Sequence, residues 1–387
     1  MPIGEAISLD ARKKLRASLL ASNDKFIQDI PKVELHVHIE GTLTLDLRWK
    51  LTQRNGATLR LVPNGPEITA RDDLYAAMDS IMPDASRMNN EEERDMFFES
   101  YLEGFNALQV KEDFYDLAMN YFETVAAMNV RYCEPFFDPQ GHTSRGVQLE
   151  TMMEGFRQAQ REAKEKFNVR SQWIMCFLRD LSPASAMEHY KAALPYRDMI
   201  VGIGLDSCEP GRPPSLFEDV FALARRDGFK LTAHCDVDQE DTDDHILQVA
   251  STMGVGGSDR IDHGLNSAED PALIDLLLKR DIGMTLCPWS YMRHTTYADL
   301  GPRIRTLFDA GVKVCMNSDD PAFMEDTWIL HNVLLARHLC NFNDEDIVVL
   351  AKNAVQVSWA DQSVKDAILG EIKSVFELLA GNSKENS

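Results

Sequence analysis

Short apolar runs alternate with longer amphipathic stretches along this chain. Residues 33–38, 130–137, 171–178, 199–205, 229–234, 260–263, 282–287 and 312–316 are apolar, mostly rich in β-branched or aromatic side chains, and tend to end near Gly, Asp or Pro. Such runs read as buried strands. Segments 148–167, 216–227, 270–279 and 300–310 carry apolar residues at helical spacing. Alternation of the two predicts an α/β fold with a parallel sheet, and eight units predict closure into a (β/α)8 TIM-type barrel. The sixth run is short, so the count of eight leans on it most. Roughly 90 residues separate His38 from Val130, far more than a crossover needs. Patterns over 45–54, 71–81, 91–108 and 112–127 are helical. The last serves as the crossover helix. The others form a helical insertion, about residues 44–110, after the first strand, where a barrel keeps its catalytic face. Helical pattern returns after residue 336, on the outside of the barrel, and the expectation is one domain over residues 1–387.

Charge narrows the partners. The chain has 62 acidic and 40 basic side chains, a formal net charge of −22. That balance argues against a nucleic-acid binder and against an anionic membrane surface. No apolar run is long enough to span a bilayer, and the first residues carry charges where a secretion signal is apolar. Seven cysteines, widely spaced and without a CxxC pair, suit a reducing cytoplasm. Oligomeric state is not legible.

The chemistry sits at the ends of the apolar runs. In Glu34-Leu35-His36-Val37-His38 the two histidines are two residues apart and share one face of a strand. They are either core histidines or nitrogen ligands of a metal. His234 ends the fifth run, His263 the sixth, and Asp319-Asp320-Pro321 follows the eighth. An Asp-Asp-Pro sequence alone is also an ordinary turn with a helix cap. Together these positions place imidazoles and carboxylates at four strand ends on the catalytic face. Three imidazoles and a carboxylate can hold a divalent ion with one open position for water.

The segments PKVELHVHIEGTL, NVRYCEPFFDPQGHTSRGV, VGIGLDSCEPGRPP, KLTAHCDVD, RIDHGLN, LCPWSY and MNSDDPAF resemble the adenosine/adenine deaminase family of the metal-dependent amidohydrolase superfamily. They are closest to its adenine deaminase branch. The resemblance implies a zinc-dependent hydrolase that removes the amino group of adenine or a related aminopurine, with one zinc ion per chain. It implies that His36, His38, His234 and Asp319 are the metal ligands. His263 then orients or deprotonates the attacking water, Asp320 hydrogen-bonds the imidazole half of the purine, and Glu209 belongs to a segment lining the purine site. No lysine lies between Met199 and Glu209 to bridge a second metal.

Two departures fall at the site. The family follows its third zinc histidine with Ala-Gly-Glu, whose glutamate protonates the ring. Here the sequence is His234-Cys235-Asp236-Val237-Asp238, with Val237 at the donor's place. Asp238 is the preferred replacement and Asp236 the other; both also read as solvated carboxylates of an acidic run. In place of Cys-Pro-x-Ser-Asn stands Cys287-Pro288-Trp289-Ser290-Tyr291, whose bulk either reshapes the pocket or packs under its roof. Glu40 stands where adenosine deaminases have a ribose-binding Asp, and its extra length is expected to intrude there and favour a free base. The alternatives to an aminopurine deaminase are a hydrolase of another nitrogen heterocycle and a metal-binding homologue without catalysis. Gly202-Ile203-Gly204 lacks the third glycine of a dinucleotide loop and reads as strand geometry. His142, His245 and His294 read as structural or exposed, with His294 the first to check.

Overall fold

The structure is a computed structural model that describes residues 7–81, 91–293 and 295–385. His294 therefore lies outside the described residues. All eight apolar runs form parallel strands. In chain order they are Lys32–Glu34; Val130–Cys133 with Phe136–Phe137; Arg170–Ser171 with Trp173–Leu178; Ile200–Asp206; Lys230–Leu231 with His234–Cys235; Arg260–His263; Gly283–Leu286; and Val314–Met316. Each pairs with the next in sequence, and the short sixth strand pairs with both neighbours. The ring closes where Val37 of the first strand's extension bridges Asp319 beyond the eighth. The chain is thus a (β/α)8 barrel.

The strands read as apolar because both faces are covered. Trp173–Leu178 is buried at every position. Outside them lie helices such as Leu149–Phe167, which buries Met152, Phe156, Ala159 and Ala163 at helical spacing and turns its charged residues outward. That helix stops at Asn168, whose φ of 56° breaks the run. Helix Pro271–Arg280 starts where the Asp270 side chain accepts the Ala272 N–H and carries Lys279 and Arg280 in its last turn. Between the first and second strands lie helices Leu45–Asn55, Arg71–Ile81, Glu91–Gly104 and Lys111–Ala127. The first three pack on a separate apolar cluster of Leu59, Leu74, Tyr101, Phe105 and Phe323 above the strand ends. Helices Ile329–Cys340, Asp344–Val357 and Gln362–Glu385 follow the eighth strand. No described helix is long and apolar enough to cross a membrane.

A buried ion pair plugs the lower end of the barrel. Arg260 donates to Glu134 Oε2 at 2.6 Å and to the Leu35 carbonyl at 3.1 Å, tying the sixth strand to the second and first. Both side chains are fully buried. The Trp359 ring lies 4.1 Å from the guanidinium, and its backbone N–H donates to Glu134 Oε1. Gly202 makes room for that ring, because a Cβ there would sit 2.3 Å from Trp359. The Gly-Ile-Gly segment is strand geometry, as its sequence implied.

Glu134→Ala would leave the Arg260 charge buried without its carboxylate. It should cost about 3–5 kcal/mol in urea unfolding. The double variant Glu134→Leu/Arg260→Met should recover part of that loss.

Candidate active site

The site lies at the C-terminal mouth of the barrel, where strand geometry aims side chains inward. His36 and His38 follow the first strand. His234, His263 and Asp319 end or follow the fifth, sixth and eighth. At His263 and Asp319 the backbone turns left-handed, with φ of 61° and 64°. Non-glycine residues hold that conformation only where surrounding structure enforces it, and such positions gather at functional sites.

The donor atoms converge. One nitrogen or oxygen each from His36, His234, His263 and Asp319 lie within 4.8 Å of one another. His38 joins them: its Nε2 is 3.1 Å from His234 Nε2 and 3.6 Å from Asp319 Oδ1. His36 Nε2 lies 3.3 Å from the same oxygen.

A hydrogen bond behind the His36 ring sets its tautomer. Thr285 donates its hydroxyl proton to Asp262 at 2.8 Å, so its oxygen accepts from His36 Nδ1 at 3.0 Å. That leaves the His36 Nε2 lone pair facing inward, buried and without a hydrogen bond. The other Asp262 oxygen accepts from Thr232 and lies 3.7 Å from His234 Nδ1. Asp206 lies 3.5 Å from His38 Nδ1. Burial, together with neighbouring imidazoles, holds His36 and His234 below the usual histidine range and pushes His38 down to about 4. Neutral imidazoles therefore crowd their lone pairs around one carboxylate. Such a cluster suits a cation, because lone pairs packed together repel and the cation removes that repulsion.

His38, His234, His263 and Asp319 border one cavity, lined also by Phe97, Phe98, Tyr101 and Leu102 from the inserted helices and by Asp138, Asp206 and Glu209 from strand ends. Asp138 is pushed up to about 6 by burial and by Glu40, and Asp206 is raised by burial and by Asp138. Asp320 lines the cavity too, seated where Gly41 leaves space; a Cβ at Gly41 would lie 2.0 Å from Asp320 Oδ1.

Other expectations change. Asp238 is not brought to the cavity. Its carboxylate accepts from Arg303 at 2.8 Å and from Asn266 at 3.1 Å, facing outward from a left-handed backbone with φ of 56°. Asp236 does line the cavity. Val237 is 1% exposed and packs in the core, so position 237 offers no place for a pocket carboxylate. Glu40 does not intrude either: its Oε1 accepts from His142 at 2.9 Å and from the Asp138 N–H at 3.2 Å. Asp138 and Tyr101 border the cavity in its stead. Trp289 packs under the roof, bonded to Glu325 at 2.7 Å.

Three partners were not legible in the sequence. The Tyr291 hydroxyl accepts from the Cys287 N–H and lies 3.1 Å from His263 Nδ1. His245 Nδ1 lies 3.1 Å from Glu209 Oε2, whose other oxygen accepts the Asp236 N–H at 2.7 Å. Arg179 donates to the His234 carbonyl at 3.0 Å and pairs with Glu209 at 3.3 Å. Glu209 therefore spends its carboxylate on the loop after His234. Cys-Pro-x-x-Tyr could have pointed to Tyr291; nothing local pointed to His245.

Comparison with known proteins agrees with this geometry. Residues 31–375 match the family model described as adenosine deaminase. A deaminase of Schizosaccharomyces pombe, described as uncharacterized, is 39% identical over 352 residues, 91% of this chain and 97% of that protein. The adenine deaminase of Rhodospirillum rubrum is 35% identical over 357 residues, 92% of this chain and 100% of that protein. The crystal structure of an adenine deaminase from Arthrobacter aurescens superposes with a TM-score of 0.79 at 32% identity, covering 90% of this chain and 99% of that one.

Because Asp238 sits in an exposed ion pair, Asp238→Asn should cost under about 1 kcal/mol in urea unfolding. Its turnover should stay near that of the unaltered protein in a steady-state assay. A large loss of turnover would return Asp238 to the site.

Proposed function

The chain belongs to the adenosine deaminase family and is a hydrolytic deaminase; on that premise we propose that it acts on adenine or a closely related aminopurine, releasing ammonia. The convergence of His36, His38, His234, His263 and Asp319 at the barrel mouth, four of them bordering one cavity, carries this reading. The family is metal-dependent, and the inward lone pairs fit a divalent ion. His36, His38, His234 and Asp319 would hold it; three imidazoles with one carboxylate suit zinc, one per chain. Such an ion, when bound, lowers the pKa of water toward about 7.

The chain's own groups manage the protons and the ring. His263, with Nδ1 fixed at Tyr291, keeps Nε2 to take the proton of the attacking water. Asp320 holds the imidazole half of the purine. Asp236, on the cavity wall beside His234, replaces the absent glutamate as donor to the ring nitrogen next to the amine-bearing carbon. Water adds at that carbon, the amine leaves as ammonia, and the 6-oxopurine remains. Phe97, Phe98 and Leu102 line the cavity from the inserted helices. The seven unpaired cysteines suit a reducing cytoplasm.

The test is ammonia release by zinc-loaded protein from aminopurines, pterins and pyrimidines. Adenine or a near relative should be the best substrate; release from pterins or pyrimidines alone would assign the cavity to another heterocycle. His234→Ala should lose both metal and turnover, whereas His263→Ala should keep the metal and lose most turnover. Full metal content in His234→Ala would overturn the ligand assignment. Asp236→Asn should slow turnover about 10²-fold or more; a rate near that of the unaltered protein would remove it as donor. Val237→Glu should destabilise the fold rather than add activity, because it buries a carboxylate in the core.

A further inference from the structure

A second cavity opens at the opposite, N-terminal end of the barrel. It has a volume of about 650 Å³ and lies among the starts of the second to fifth strands. That is the size range of small-ligand sites. Its charge is the reverse of the chain's. The protein as a whole carries −22, yet this wall holds Arg157, Arg161, Lys164, Arg170 and Arg197 against two carboxylates, Asp198 and Asp361.

Local pairing does not account for the surplus. Arg157 is taken by Asp198 at 2.5 Å. Arg197 donates to the Asp227 carbonyl and lies over the Phe229 ring. Arg161, Lys164 and Arg170 form no side-chain hydrogen bond or ion pair among the described residues. Arg157, Arg161 and Lys164 stand on one face of helix Leu149–Phe167 at spacings of four and three, where like charges repel. The dipole at the helix C-terminus favours Lys164 but reaches neither Arg161, almost two turns from the end, nor Arg170, beyond it.

Guanidinium forks and an ammonium match the oxygens of phosphate groups. We propose that this cavity is a second binding site, for a small oligophosphate anion, held by Arg161, Lys164 and Arg170. Three uncommitted cations match a diphosphate or triphosphate better than a singly charged anion. A concave, partly buried site in a strongly acidic protein fits a small anion rather than a nucleic acid. Free pyrophosphate and the phosphate chain of a nucleotide present the same oxygens. Trp359 and Phe229 on the wall offer a base somewhere to pack.

Calorimetric titration of the full-length, zinc-loaded protein with pyrophosphate and with ATP tests this. Both should bind, more weakly as salt is raised. Tighter binding of ATP would identify a nucleotide, and equal binding the phosphate chain alone. The triple variant Arg161→Ala/Lys164→Ala/Arg170→Ala alters exposed side chains only and should weaken pyrophosphate binding about tenfold or more, with ammonia release unchanged. No binding of either probe at millimolar concentration would overturn the proposal, as would binding that survives the triple substitution.

Discussion

The backbone of Asp319 is hydrogen-bonded on both sides to the chain just beyond the first strand. Its N–H donates to the His36 carbonyl at 3.1 Å, and its carbonyl accepts the His38 N–H at 3.0 Å. These two bonds close the barrel, and they also set the Asp319 carboxylate beside His36 and His38. The residues before it serve the same seam. Asn317 Oδ1 accepts the Leu35 N–H at 2.7 Å, and the Ser318 hydroxyl donates to Glu34. Tyr121 donates to the other Glu34 oxygen, and burial pushes that carboxyl up to about 7. Closure and site assembly are therefore one event: a barrel that fails to close here has no site.

The imidazoles owe their poise to what stands behind them. Asp262 collects two threonine hydroxyls and faces two rings, so a single carboxylate at the sixth strand orients groups from the first and fifth. Through Thr285 it fixes the His36 ring, whose Nε2 then faces inward. Carboxyl groups line the same cavity: Asp138, Asp206 and Asp320 are all raised because burial opposes their charge. The cavity thus brings imidazole nitrogens and carboxyl groups together.

The two ends of the barrel divide the work. The upper end gathers residues from every strand and the inserted helices around one cavity. The lower end is sealed by Arg260, Glu134 and Trp359, whose packing keeps solvent from the barrel interior. Outside that seal, cations concentrate in a protein otherwise dominated by acids. The seal separates the two cavities, so charge at one end acts on the other only across the packed interior.

The amino-acid sequence by itself determined the eight strands, the helical insertion and the gathering of His36, His38, His234, His263 and Asp319 at one end. Period-two and period-3.6 patterns are local, and a barrel turns strand ends into a common mouth whatever the details. Counting along the chain failed where the backbone leaves regular geometry. After His234 it placed Val237 at the donor's position, but the loop buries Val237, turns Asp238 left-handed toward Arg303 and leaves Asp236 on the cavity wall. It likewise sent Glu40 into the pocket, whereas His142, 102 residues away, draws that side chain back. The pairings of Glu209 with His245 and of Tyr291 with His263 were beyond its reach for the same reason. Each depends on where separate segments meet in space, and that is decided only when strands and helices pack against one another.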